Sequence, residues 1–261
     1  MIPIREIKEM ARLFGVPPST IERDYAQNWL LSSFGSLHMV LKGDTGIRKV
    51  FIEQYRFSDD LDFTLTKPYE PDHLVDLIRQ CVVSIREISG IPFQDDVNLI
   101  HTKSGFRGTV FFRLIPSGAD IPIKIDLDIT DPSNEEILLP IENRDIIHLY
   151  SDSLAGTVPS YALDEIMGEK IRSLFERTRP RDLYDVYHLM PRVHKSVVTD
   201  IFRKKCEYKG INPTMPDIMV KKDQYQKAWE KSLRHQMKVL PDFTMMFESV
   251  CSDLKALGIP D

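Results

Sequence analysis

Much that would mark a secreted, zinc-binding or hydrolytic protein is missing from this chain. Its three cysteines, Cys81, Cys206 and Cys251, are far apart and odd in number, so neither a disulfide framework nor a zinc pattern is expected. The seven histidines stand singly, which also argues against zinc. No apolar run approaches the roughly 20 residues of a membrane span, and the first residues lack a signal-peptide core. A cytoplasmic protein with no membrane partner is the expectation. Neither G-x-S-x-G nor G-x-x-x-x-G-K-[ST] occurs, and no internal repeat or low-complexity segment is visible. An excess of positive charge is lacking too. The net charge of −5 disfavours a surface coated for polyanions, although Lys170, Arg172, Arg177, Arg179 and Arg181 form a local basic run.

The 261 residues present suffice for a large core. Helical periodicity runs from Ile4 to Leu31 with a break at Gly15–Pro18, and Ser19 with Glu22 has the spacing of a capping box. Residues 37–41 form a short apolar strand candidate. It ends in Lys42-Gly43-Asp44-Thr45-Gly46, a turn into a helix through about Ile52. Leu61, Phe63 and Leu65 alternate with polar residues, as in a strand; a helix is predicted over 72–88, then strands over 97–102, 108–114 and 122–129. With no crossover helix between the last three, the sheet is expected to be mixed and mainly antiparallel. From Tyr161 onward the pattern is helical, broken at Asn212-Pro213 and Leu240-Pro241, with Trp229 and Met245-Met246-Phe247 read as core. The expectation is α+β: a domain over 1–150 with N-terminal helices, then a helical part over 151–261.

The chemistry concentrates in Arg56-Phe57-Ser58-Asp59-Asp60-Leu61-Asp62-Phe63. On a strand, Asp60 and Asp62 share one face about 7 Å apart, while Leu61 and Phe63 point into a core. Carboxylates that close repel unless a cation lies between them. Mg²⁺ (or Mn²⁺) suits such a pair, because it takes one or two carboxylates and fills its shell with water and phosphates. A solvent-facing strand is the plainer alternative. Context favours a site. Gly43 lets backbone approach a phosphate at a helix start. Lys124, Asp126 and Asp128 share a face of another strand, so Asp126 or Asp128 is a third carboxylate and a candidate base for an acceptor hydroxyl. Ser58 either orders its loop or contacts substrate.

A strand, a glycine-led turn, a helix and S-x-D-h-D on the next strand resemble the polymerase-β-type nucleotidyltransferase core. The run from Leu41 to Phe63, with Arg181-Asp182-Leu183-Tyr184-Asp185, resembles more narrowly the AbiEii/AbiGii toxin family, the DUF1814 group related to the MenT toxins. The family's K-G-G-T-A-L stands here as Lys42-Gly43-Asp44-Thr45-Gly46-Ile47, and its R-F-S-x-D-L-D-F as Arg56–Phe63. The resemblance spans roughly residues 11–190. It implies nucleotide transfer from an NTP to an acceptor, as the toxin of a toxin–antitoxin or phage-defence system with a cognate antitoxin. Since relatives include toxins that extend tRNA acceptor stems, RNA, at the 3′ end of tRNA, is the acceptor it points to. It further implies that Lys170 and Asp182 join Asp60, Asp62 and Asp126 in catalysis, and that Lys42, Gly43, Thr45, Ser58 and Arg181 contact substrate. Asp44 departs from the pattern, placing negative charge where triphosphate is expected.

Two rival readings follow. The same fold could serve a phosphotransferase or an inactive nucleotide binder. From another class, Ala11–Ile21 reads like a helix-turn-helix of a DNA-binding regulator, but the helix would present Glu22, Arg23 and Asp24, a poor reader of a polyanion.

Overall fold

The computed structural model describes residues 1–129 and 137–261. Contacts divide the chain into two compact units, Met1–Thr130 with Ile141–Tyr161, and Asp131–Pro140 with Ala162–Asp261.

In the first unit, helices α1 (Ile4–Phe14) and α2 (Pro18–Ser33) precede strand β1 (Met39–Lys42). A single α-helical turn, α3 (Gly43–Gly46), widens into a π-helical turn over Ile47–Phe51. Then come β2 (Asp60–Leu65), α4 (Pro71–Ser89), β3 (Asn98–His101), β4 (Gly105–Phe112), β5 (Ile121–Ile129), β6 (Glu142–Asp145) and β7 (Thr157–Ser160). Among the described residues these strands form one sheet in the order β3-β4-β5-β2-β1-β7-β6. The sheet is mixed: β2 runs parallel to β5 and β1 parallel to β7, while the other neighbouring pairs are antiparallel. Alternation works as expected, with Leu61, Phe63, Ile123, Ile125 and Leu127 buried in a core that also takes Leu30 and Leu31 of α2 and Ile78 and Val82 of α4.

The sequence misleads in three places. Ser19 does not cap α2: Pro17 occupies the cap and Pro18 the first helical position, where its missing N–H costs nothing. Glu22 instead is buried and accepts a backbone hydrogen bond from Ile115. Strands β6 and β7 carry no usable periodicity, since Glu142-Asn143-Arg144-Asp145 is wholly polar, as edge strands often are, and β7 contains Pro159.

The second unit consists of helices α5 (Leu163–Glu176), α6 (Pro180–Leu189), α7 (Lys195–Lys209), α8 (Met215–Met219), α9 (Lys222–Leu233) and α10 (Phe243–Ala256). Helices α5 and α7 cross closely at Gly168, where a β-carbon would stand 2.5 Å from Cγ2 of Ile201. Trp229, Met246 and Phe247 are core residues, but Met245 is exposed, one step off the apolar face of α10. No described helix is long and apolar enough to cross a membrane. All three cysteines are free.

Candidate active site

The register of four strands lines up four charged residues. Lys42 on β1 is paired with Asp62 on β2, Asp62 with Asp126 on β5, and Asp126 with Arg107 on β4. Neighbouring strands lie about 4.8 Å apart, so across the sheet the row runs cation, acid, acid, cation at close spacing. One step along, Asp60 is paired with Lys124, and Asp128 lies on the same face beyond Asp126. The opposite faces of β2 and β5 are sealed by the core, which forces these polar side chains outward.

Asp62 is the focal group. It is half-buried, and its carboxyl is pushed up to about 7 by desolvation first, then by the charges of Asp44, Asp60 and Asp126; Lys42 offsets only part of this. The Lys42 ammonium reaches Asp128 at 2.7 Å. A surplus of carboxylate charge around one residue, with oxygen donors from adjacent strands, fits a hard divalent cation.

The turn between β1 and α3 is shaped around that group. Gly43 has φ 69°, and a β-carbon there would meet Oδ2 of Asp62 at 2.8 Å, so both conformation and space require glycine. The Thr45 hydroxyl lies 2.8 Å from that of Ser58 and also reaches the Asp60 carbonyl, tying the turn to the start of β2. Asp44 pairs with the fully buried guanidinium of Arg56 at 2.7 Å. Its charge is therefore compensated locally, although it still adds to the field that raises Asp62. Helix α2 fixes the same segment from below. Gln27 donates to the carbonyls of Ser58 and Asp59, at 3.3 and 3.1 Å, and Arg23 pairs with Asp59 and donates to the Pro122 carbonyl of β5.

This arrangement removes the helix-turn-helix reading. Glu22 and Asp24 are buried, and Arg23 serves Asp59. Asp24 accepts from Arg48 Nε and Lys49 Nζ, each at 2.6 Å, and from the Tyr150 hydroxyl at 2.7 Å. Despite desolvation, these charges hold the Asp24 carboxyl far below its usual range, whereas burial brings the Lys49 ammonium down to about 8. No side chain of that triplet is left to read DNA.

In the second unit, Lys170 of α5 is buried between Asp182 (Oδ1, 3.0 Å) and Asp185 (Oδ2, 2.7 Å) of α6. Glu165 and Glu169 of the same helix hold the buried Lys205 at 3.0 and 3.1 Å. Asp182 also takes the Arg177 guanidinium at 2.8 Å. Within the basic run, Lys170 and Arg172 are buried, Arg181 is half-buried, and Arg177 and Arg179 are exposed. The run is thus no continuous basic surface. Of the residues singled out in the sequence, Lys42, Gly43, Thr45, Ser58, Asp60, Asp62 and Asp126 come together in the first unit, and Lys170 and Asp182 in the second. Arg107, Arg23, Gln27 and the partner of Arg56 were not legible, because cross-strand register and helix-to-loop contacts leave no trace in local spacing.

The profile of the nucleotidyl transferase AbiEii toxins of type IV toxin–antitoxin systems matches residues 27–253. A comparison with curated protein sequences returns no match. Among solved structures, the chain is similar to the nucleotidyltransferase toxin MenT4 from Mycobacterium tuberculosis. The TM-score is 0.66 at 18% identity, with 100% of this chain and 91% of that one covered. It is also similar to JHP933 from Helicobacter pylori, with a TM-score of 0.60 at 15% identity and 93% of each chain covered. At these identities the structural likeness speaks for the fold, and the profile match for the family. The chain belongs to the AbiEii nucleotidyltransferase toxin family.

Proposed function

We propose that this AbiEii-family nucleotidyltransferase transfers a nucleotide from an NTP to RNA, at the 3′ end of tRNA, in a Mg²⁺- or Mn²⁺-dependent reaction that a cognate antitoxin opposes. The observation that carries the metal-dependent reading is the placing of Asp60 and Asp62 on β2 beside Asp126 on β5, where desolvation first, and then the charges of Asp44, Asp60 and Asp126, push the Asp62 carboxyl up to about 7. Asp60 and Asp62 would hold the cation, which supplies charge neutralisation at the transferring phosphate. Asp126 completes a carboxylate trio beside the cation and takes the proton of the acceptor hydroxyl, with Asp128 as its alternate on the same strand. The Gly43 turn presents backbone N–H groups to the triphosphate, Thr45 and Ser58 add hydroxyls, and Lys42 adds a cation. From the family resemblance, Lys170, steadied by Asp182, balances charge on the departing pyrophosphate, and Arg181 contacts substrate. On this reading residues 1–150 form the nucleotidyltransferase domain and 151–261 the helical domain that contributes to catalysis.

The RNA acceptor rests on the resemblance and on the exposed Arg177 and Arg179, which suit backbone phosphates. Incubation with NTPs labelled at the α or γ position, with total RNA and protein as acceptors, tests the whole. Label from the α position on RNA, lost in EDTA and in Asp62→Asn, is the expected result. Transfer of γ-label would make the protein a phosphotransferase, transfer of neither a binder, and α-label on protein alone would dismiss the RNA acceptor.

A further inference from the structure

Arg107 is the one member of the charged row that neither the motif nor the functional reading uses. It lies on β4 in register with Asp126, and its guanidinium grips that carboxylate through Nε–Oδ1 at 2.5 Å and Nη2–Oδ2 at 3.4 Å. The Arg107 side chain is half exposed, so its guanidinium is open to solvent and to an incoming ligand. Its neighbours along β4 differ: Phe106 and Gly108 are buried toward the core. A cation entering between Asp62 and Asp126 must therefore meet a carboxylate already occupied by another positive group. Buried Lys42, at the other end of the row, is engaged with Asp128.

On the carboxylate site proposed above, we propose that Arg107 is a displaceable counter-ion of Asp126 that competes with the divalent cation and, once displaced, turns its guanidinium onto a phosphate of the bound substrate. The chemistry favours this pairing of roles. A carboxylate shared between guanidinium and metal cannot serve both at full strength, and the two cations repel. A freed guanidinium at the rim of an acidic cleft presents a planar fork of N–H donors suited to phosphate. Arg107 is thus a positioning residue before the cation binds and a substrate contact afterwards. The phosphate belongs either to the NTP or to the RNA backbone next to the acceptor hydroxyl, and two arms of the test separate these.

The first measurement is Mn²⁺ binding to the whole protein without nucleotide, followed by the electron paramagnetic resonance signal of free Mn²⁺. Arg107→Ala is expected to bind Mn²⁺ about three- to tenfold more tightly than the parent, the range for losing a half-exposed competing charge. Arg113→Ala serves as a control, since Arg113 pairs with Asp120 and lies just past the far end of β4. It should leave the affinity unchanged. Weaker or unaltered Mn²⁺ binding by Arg107→Ala would overturn the proposal, and mere loss of fold cannot mimic a gain in affinity. The second measurement, at saturating Mn²⁺, compares binding of inorganic tripolyphosphate and of a short oligoribonucleotide. Arg107→Ala should weaken one of them severalfold, with Arg107→Lys in between; loss of neither would remove the substrate-contact half. If Asp62→Asn binds Mn²⁺ as the parent does, the carboxylate site itself is wrong, a failure distinct from the first.

Discussion

Two aspartates of the first unit, Asp24 and Asp62, sit in opposite electrostatic surroundings. Asp24, on α2, is buried and receives Arg48, Lys49 and the Tyr150 hydroxyl, so its carboxyl is held far below the usual range. Asp62, on β2, is pushed up to about 7 by desolvation first and then by Asp44, Asp60 and Asp126 around it, with Lys42 as a partial counterweight. The first cluster is complete within the chain and serves the fold; the second crowds carboxylates around Asp62 and, on the reading proposed above, serves a ligand. Burial alone does not separate the two roles. The sign of the neighbours does.

The sharpest way to break this contrast is Asp24→Ala. It strands two buried cations, Arg48 and Lys49, and should cost about 3–5 kcal/mol of stability in urea unfolding. Asp62→Asn should leave stability in EDTA unchanged or raised while abolishing transfer; a large loss of stability would return Asp62 to a structural role.

Next in size is a pH effect. The raised Asp62 carboxyl binds a proton in the folded chain but not in the unfolded one between about pH 4 and 7. Its contribution is present below pH 4 and lost as pH rises through 7, on the order of 2 kcal/mol given partial exposure. Asp24, held low, runs the other way: its contribution stands above pH 4 and fades only in strong acid. Unfolding in EDTA from pH 4 to 8 should therefore show a decline that Asp62→Asn removes and saturating Mg²⁺ suppresses. A flat profile for the parent protein would contradict the charge surplus.

Smaller again is Gly43→Ala, at about 1–3 kcal/mol from the left-handed backbone, with displacement of the Asp62 carboxylate and a fall in turnover beyond the stability loss. Smallest is Asp44→Asn. It loosens the buried Arg56 by about 1 kcal/mol and should bring the Asp62 carboxyl back toward its ordinary range, readable by nuclear magnetic resonance titration of the metal-free protein.

The carboxylate pair was legible because strand geometry has a strict period of two: Asp60 and Asp62 share a face whenever Leu61 and Phe63 are core. The same rule placed Lys124, Asp126 and Asp128 together. What stayed hidden was which strands adjoin and in what register, since Asp62 and Asp126 are joined by pairing that no local pattern encodes. Ser19 misled because the capping spacing was right but two prolines ahead of it had already set the helix start. The AbiEii resemblance supplied Lys170 and Asp182 and carried Asp185 in its R-D-L-Y-D segment, and the structure pairs Lys170 with both acids and Arg177 with Asp182. The burial of Asp24 was hidden because α2 is buried nearly all round, a condition that amphipathic periodicity does not announce.

The parallel pairing of β2 with β5 has a consequence for how this sequence can change. Between the two strands the chain makes an excursion through α4, β3 and the hairpin into β5, and its length does not enter the alignment of Asp62 with Asp126. Residues can be gained or lost in the connection after α4 without disturbing the carboxylates, provided the strands keep their pairing. Within β5 the tolerance vanishes. A shift of one residue there would bring Ile125 or Leu127 opposite Asp62 and turn the acids into the core. Gly105 pins that register at the end of the hairpin, since any β-carbon would run into the Leu127 carbonyl, so the strand behaves like a reading frame in which substitutions are negotiable and single-residue insertions are not.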